Sequence, residues 1–307
     1  MHSTIPFRNF LSMGTRFDLV LPGSTQESAD IVFTGIKTEL NRLENKLSNY
    51  ISDSALSVLN SHAVDRPQKT DKEIMKMLSE LMDLSDKTLG YFDFTMGKRT
   101  HSRNNQNKEE VKVKDTEVAA TDSLKVNEKI ELDKEKNTVQ FLSSDVSVDS
   151  DGFGKGKALD EVKTILHRYQ VNHAFVSFGN SSILAHGKHP HSDTWKTGIA
   201  HLFLPAENVF VFDLKDECIS VSGTTPENME KYGRSHIVDP TTGKEIEGFF
   251  QCAVAGEKGL ITEVLSTSLA CAPPEKRDQI MQNFDGYRAV IIEYKNEEPT
   301  ITYKYHT

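Results

Sequence analysis

The sequence predicts a mixed α+β domain, with mixed sheets and helices packed against them. Three observations carry that expectation. Amphipathic helical patterns fill much of the first third of the chain, and short strand-like runs fill most of the second half. The two kinds of segment come in clusters and do not alternate strictly, as a doubly wound parallel sheet would require. The composition suits a packed domain: 307 residues, 37% of them hydrophobic and 26% charged, supply enough apolar side chains for a core.

Residues 16–21, "RFDLVL", read as a strand that "PGS" stops. A long helix is predicted over 26–47, because Phe33, Ile36, Leu40, Leu43 and Leu47 recur three and four apart and share a face. "SNYISDSALSVLN" is a polar turn and a short helix starting near Ser54. Thr70 and Glu73 form a capping box for the next helix, whose buried face runs through Ile74, Leu78 and Leu81. Gly90 ends it, and the aromatic run "YFDFTMG" follows with an aspartate at its centre.

Residues 99–127 are polar with almost no aromatics, the composition of an exposed excursion. The strands flanking it are too short to stand alone, so residues 1–307 are read as a single domain. "KIELDKEKNTVQF" (129–141) is a hairpin, with Ile130 and Leu132 alternating on one side and Val139 and Phe141 on the other. A helix over 156–169 places Ala158, Val162, Ile165 and Tyr169 on one face. Strands follow at "HAFVSF", "WKTGIA", "NVFVFD", "CISVS" and "SHIVD". A helix over 260–271 carries Leu260, Val264, Leu265 and Leu269; "APP" stops it and a short helix starts near Glu275. "RAVIIEY" and "TITYKY" close the chain as strands.

Charge and cysteine content exclude several function classes. A net charge of −9 argues against nucleic-acid or anionic-membrane binding, since both need basic surface. The three cysteines, Cys218, Cys252 and Cys271, are odd in number and form no C-x-x-C pair. Buried free thiols are expected, not a disulfide framework or a zinc knuckle. No apolar h-region opens the chain, and no run reaches the roughly 18 apolar residues of a membrane span. A cytoplasmic protein is expected as the sequence is written, or a periplasmic, membrane-anchored one if a leader has been trimmed.

One stretch asks for a ligand. "VDSDGFGKGKALDEV" (148–162) places three glycines, a lysine and two aspartates before a helix. It fails the P-loop spacing, and Gly152, Gly154 and Gly156 read G-x-G-x-G, which fails the dinucleotide fingerprint G-x-G-x-x-G. It fails the calcium-loop pattern too, lacking the first ligand and the closing glutamate. What remains is a helix N-terminus with flexible glycines and Lys155, which favours an anion, beside Asp149 and Asp151, which favour a cation. A metal–phosphate ligand and a plain strand-to-helix turn both fit.

The same stretch resembles the D-L-G-G-I-A-K-G-Y-A-x-D segment of the ApbE family, the FAD:protein FMN transferases. Asp149, Gly152, Lys155, Gly156, Ala158 and Asp160 match it. Further segments resemble the family's in order: "MGTRF" (13–17), "LSNYISDSALSVLN" (47–60), "GYFDFTMG" (90–97), "HAFVSFGNSSILAHG" (173–187), "HIVDPTTGKEI" (236–246) and "ITEVLSTSLA" (261–270). Glu263 stands where the family motif has aspartate, and Asp151, Gly154 and Lys157 also depart from it.

The resemblance implies an ApbE-like, T-fold-like domain that binds FAD with Mg2+. It implies transfer of FMN to a threonine or serine hydroxyl of an acceptor flavoprotein, with release of AMP. Hydrolysis of FAD to FMN and AMP is the alternative with water as acceptor; FAD binding without catalysis is another. Carried over by position, Gly152, Glu263 and Thr267 hold the metal, and Asp149 and Lys155 contact FAD. Met13, Tyr50, Phe92, Asp93 and Ile246 line the flavin and adenosine pockets, and His236 is the base that activates the acceptor.

Overall fold

The computed structural model describes residues 4–97, 125–233, 235 and 237–306. Two expectations fall largely or wholly outside these residues: the polar excursion at 99–127, of which only 125–127 are described, and the placement of His236. The strands are β1 (Phe7–Ser12), β2 (Thr15–Val20), β3 (Gln68–Lys69), β4 (Ile130–Asp133), β5 (Thr138–Phe141), β6 (Ala174–Phe178), β7 (Ser182–His186), β8 (Trp195–Ala200), β9 (Asn208–Leu214), β10 (Glu217–Thr224), β11 (Phe249–Gly256), β12 (Arg288–Lys295) and β13 (Glu298–Tyr305). The helices are α1 (Gln26–Leu47), α2 (Ala55–His62), α3 (Lys72–Lys87), α4 (Val126–Lys129), α5 (Gly154–Arg168), α6 (Pro226–Tyr232), α7 (Gly259–Cys271) and α8 (Pro274–Met281).

The centre is an antiparallel eight-stranded sheet in the order β1-β2-β6-β7-β10-β11-β12-β13. Successive side chains of a strand point to opposite faces, and the central strands are covered on both. Cys218, Cys252, Val254 and Ile291 join the core shared with α1, α5 and α7. Their neighbours Ile219, Ala253, Ala255, Val290 and Ile292 pack on Trp195, Phe212 and Leu214 of the β8–β9 hairpin. A smaller sheet, β3-β5-β4, joins the link between α2 and α3 to the hairpin that follows α4.

Helix ends follow side-chain chemistry. Thr25 caps α1 and Ser54 caps α2, each accepting from a backbone N–H three residues on. The cap of α3 is Asp71, which accepts from Ile74 N, and not the expected Thr70. Glu73 is drawn away from a capping role by Arg42 and Lys46 of α1.

Three other expectations are corrected. Tyr169 is the C-cap of α5 and stands 42% exposed, so it is not part of that helix's buried face. "SHIVD" forms no strand among its described residues; Val238 makes only an isolated bridge to Glu245. The segment instead turns on Asp239, whose Oδ1 accepts from the N–H and hydroxyl of Thr241 and whose Oδ2 accepts from Thr242. Strands β1, β3, β7 and β11 are additions to the predicted set.

The α5–α7 crossing positions the site. A Cβ on Gly156 would collide with the Gly259 carbonyl oxygen, and one on Gly259 would lie 2.5 Å from Gly156 O. Two glycines therefore let the backbones touch. Each helix then caps the other. Asp160 of α5 accepts from Gly259 N at 2.7 Å and Leu260 N at 3.1 Å, and Glu263 of α7 accepts from Gly156 N. Burial pushes the Asp160 carboxyl up, opposed by those two N–H donors.

Candidate functional site

A cleft of about 640 Å³ opens beside this crossing, within the range of small-molecule sites. Seven separate parts of the chain line it: the aromatic run after α3 (Tyr91 to Gly97), the turn before α5 with its first residues, the β6–β7 turn, the end of β10 with the start of α6, the segment from Ile237 to Pro240, Gln251 of β11, and α7. Phe92, Asp93, Asp149, Gly152, Lys155, Glu263 and Thr267 all line it.

The turn before α5 is held by an asparagine pair. Asn60 Nδ2 donates to Asn49 Oδ1 and to Val148 O, and Asn60 Oδ1 accepts from Val148 N at 2.8 Å. Asn49 Nδ2 lies 3.4 Å from Asp149 Oδ1, which also accepts from Asp151 N. The sequence between α1 and α2 thus fixes the Asp149 carboxylate from about a hundred residues away. Lys157, another departure from the family motif, pairs with Glu161 one turn on.

Glu263 and Lys155 form the charged floor. Lys155 Nζ sits 2.8 Å from Glu263 Oε1, with the side chains 24% and 6% exposed. The Glu263 carboxylate raises the Lys155 ammonium pKa above its ordinary value, against the cost of burial. One turn along α7, Thr267 Oγ1 lies 3.1 Å from Ser222 Oγ, which also meets Ser266 Oγ at 2.8 Å.

These donors suit a hard cation. Glu263 carries a carboxylate, Thr267 a hydroxyl and Gly152 a backbone carbonyl, and all three residues line one cleft. Among the described residues no cluster of three or more His, Cys, Asp or Glu side chains could hold a metal alone. So sparse a set leaves most of a cation's shell to a ligand's oxygens and water.

Asp93 is held by two partners in the wall of the cleft. Its Oδ2 takes the Lys129 ammonium at 2.6 Å, and its Oδ1 accepts from the N–H and hydroxyl of Thr95. Both partners of this ion pair are buried, at 6% and 5% exposure. The pair ties α4 to the cleft's aromatic wall.

Met13, Tyr50 and Ile246 are not among the residues lining the cleft. Met13 sits at the β1–β2 turn with φ 47° and, like Ile246, packs against the main core. Tyr50 stands 82% exposed on the loop after α1. Sequence reasoning missed Ser220, Gln251 and Asn228, which also line the cleft. Gln251 had a readable signal, a polar residue inside the apolar run "FFQCAVAG"; it accepts from Tyr294 OH and donates to Ala200 O.

Among solved structures, the flavin transferase ApbE from Vibrio cholerae superposes with a TM-score of 0.80 at 21% identity, over 98% of this chain and 97% of that one. An ApbE protein from Thermotoga maritima gives 0.80 at 20% identity, over 97% and 96%. The fold is therefore that of the ApbE structures. Among curated relatives, the FAD:protein FMN transferase of Klebsiella pneumoniae (strain 342) is 24% identical over 88% of this chain and 79% of its own length. That of Escherichia coli (strain K12) is 24% identical over 92% and 82%. The ApbE family model matches residues 13–291. The chain belongs to the ApbE family.

No helix among the described residues is long and apolar enough to cross a membrane. The cysteines Cys218, Cys252 and Cys271 are buried free thiols, each raised well above its usual pKa chiefly by burial.

Proposed function

We propose that the chain transfers FMN from FAD to a threonine or serine hydroxyl of a partner flavoprotein and releases AMP, with magnesium as the divalent ion. One observation carries the reading. Within a family match spanning residues 13–291, a single cleft collects the motif residues Phe92, Asp149, Gly152, Lys155, Glu263 and Thr267 from distant parts of the chain.

The reaction is a displacement at phosphorus. The acceptor hydroxyl oxygen bonds to the FMN phosphorus as the bond to the AMP oxygen breaks, and the hydroxyl proton leaves to a base. Lys155 places an ammonium in the cleft where diphosphate oxygens bind. The first turn of α5 adds the positive end of its dipole. Ser222 and Thr267 present hydroxyls beside Glu263. Gly152, Glu263 and Thr267 would hold magnesium, which would supply positive charge to the diphosphate when bound. His236 is the base carried over from the family motif, a role imidazole suits near neutral pH.

Incubation with FAD and MgCl2 tests this. AMP formed only when an acceptor protein gains covalent flavin supports transfer. AMP without an acceptor makes the chain a pyrophosphatase, and bound FAD with no AMP makes it a flavin binder. Glu263→Ala is expected to abolish AMP release, and unchanged release would remove Glu263 from the metal site.

A further inference from the structure

The Glu263 carboxylate is already engaged. Its Oε1 holds the Lys155 ammonium at 2.8 Å, and its Oε2 accepts from the Gly156 N–H. Both groups come from the first turn of α5, so one helix start grips the proposed metal ligand with adjacent residues. An ammonium and a divalent ion cannot share a carboxylate oxygen without strong like-charge repulsion. A metal approaching Glu263 must first displace Lys155.

We propose that Lys155 is a gate on the metal site: it occupies Glu263 in the free protein and moves to the FAD diphosphate when substrate and metal arrive together. This rests on the metal assignment above. The geometry supports the exchange in two ways. The Lys155 side chain is 24% exposed and lines the cleft, so it has somewhere to go. The Gly156 N–H is a backbone donor and stays, so Glu263 keeps its place when the ammonium leaves. The diphosphate offers negative oxygens that replace the lost partner.

Binding is then cooperative. Metal alone binds weakly, because it must break a charge-assisted contact. Such contacts are worth about 10- to 100-fold in an equilibrium constant. FAD lifts that cost, and by linkage the metal raises FAD affinity by the same factor. Lys155 therefore ensures that the protein does not load the ion ahead of its substrate.

The test uses the full chain with Mn2+ as the probe, free ion being counted by electron paramagnetic resonance. Wild type, Lys155→Met, Lys155→Gln and Glu263→Gln are titrated without FAD and with saturating FAD, after circular dichroism has shown each to be folded. Without FAD, both Lys155 variants are expected to bind Mn2+ about tenfold or more tighter than wild type. FAD should tighten Mn2+ binding in wild type and do so far less in these variants. Mn2+ affinity in both Lys155 variants equal to or weaker than wild type overturns the gate. Glu263→Gln separates the two claims: if it leaves Mn2+ binding intact with FAD present, the metal assignment itself fails, whatever Lys155 does.

Discussion

Replacing Lys129 by methionine probes the wall of the cleft. Lys129 Nζ lies 2.6 Å from Asp93 Oδ2, and both side chains are almost wholly buried. Methionine keeps the stem's bulk and removes the charge, leaving a buried carboxylate without its counter-ion. Losing one partner of a buried pair costs about 3–5 kcal/mol. Thr95 still donates an N–H and a hydroxyl to Asp93 Oδ1, which places the cost near the lower end, about 3 kcal/mol. For a domain this large that corresponds to a melting point lower by roughly 4–6 °C. Thermal denaturation followed by circular dichroism reads it. The double variant Asp93→Asn/Lys129→Met removes both charges and should recover at least half of the loss, because two neutral groups leave no orphaned ion. A Lys129→Met shift below about 2 °C, or a double variant as unstable as the two singles combined, would refute the reasoning.

Gly156→Ala should destabilise by about 3 kcal/mol in chemical denaturation, although alanine is the better helix former, because its Cβ meets the Gly259 carbonyl. Asp71→Ala should cost about 1 kcal/mol and Thr70→Ala almost nothing, since only Asp71 caps α3; equal losses contradict the assignment. Glu73 joins α3 to Arg42 and Lys46 of α1, and these cations, Arg42 foremost, hold its carboxyl down to about 2. A depressed carboxyl stabilises the fold above its unfolded pKa of about 4.5 and loses that contribution as pH falls toward 2. Glu73→Gln should thus lower stability by about 1 kcal/mol near neutrality, a figure kept small because the pair is partly exposed. The gap to wild type should close below about pH 4.5; a gap that widens on acidification contradicts the sign.

Local periodicity made most helices legible. The apolar spacing of α1 predicted Gln26–Leu47, because a surface helix buries one stripe whatever it packs on. Strand β11 was harder: with both faces buried, "FFQCAVAG" shows no alternation to read. The α3 cap was misread because Glu73 answers to two cations on another helix, a tertiary contact that no local pattern records. The site was legible only through resemblance. Glu263 meets Gly156 across 107 positions, and Lys129 reaches Asp93 across 36. Asp93 shows a limit of reading by motif: it lines the cleft, and its carboxylate is taken by a lysine that drew no notice in the sequence. Tyr50 shows another, since a matching motif letter does not bring its ring into the cleft.

The central claim is that this cleft cleaves FAD and hands its FMN half to a protein hydroxyl. The most direct measurement incubates the chain with FAD, MgCl2 and a flavoprotein acceptor, and follows AMP by chromatography and the acceptor by intact mass. AMP and an acceptor mass increased by one FMN, appearing together and lost with Glu263→Ala, is the predicted result. AMP accumulating with no flavin on the acceptor would contradict it.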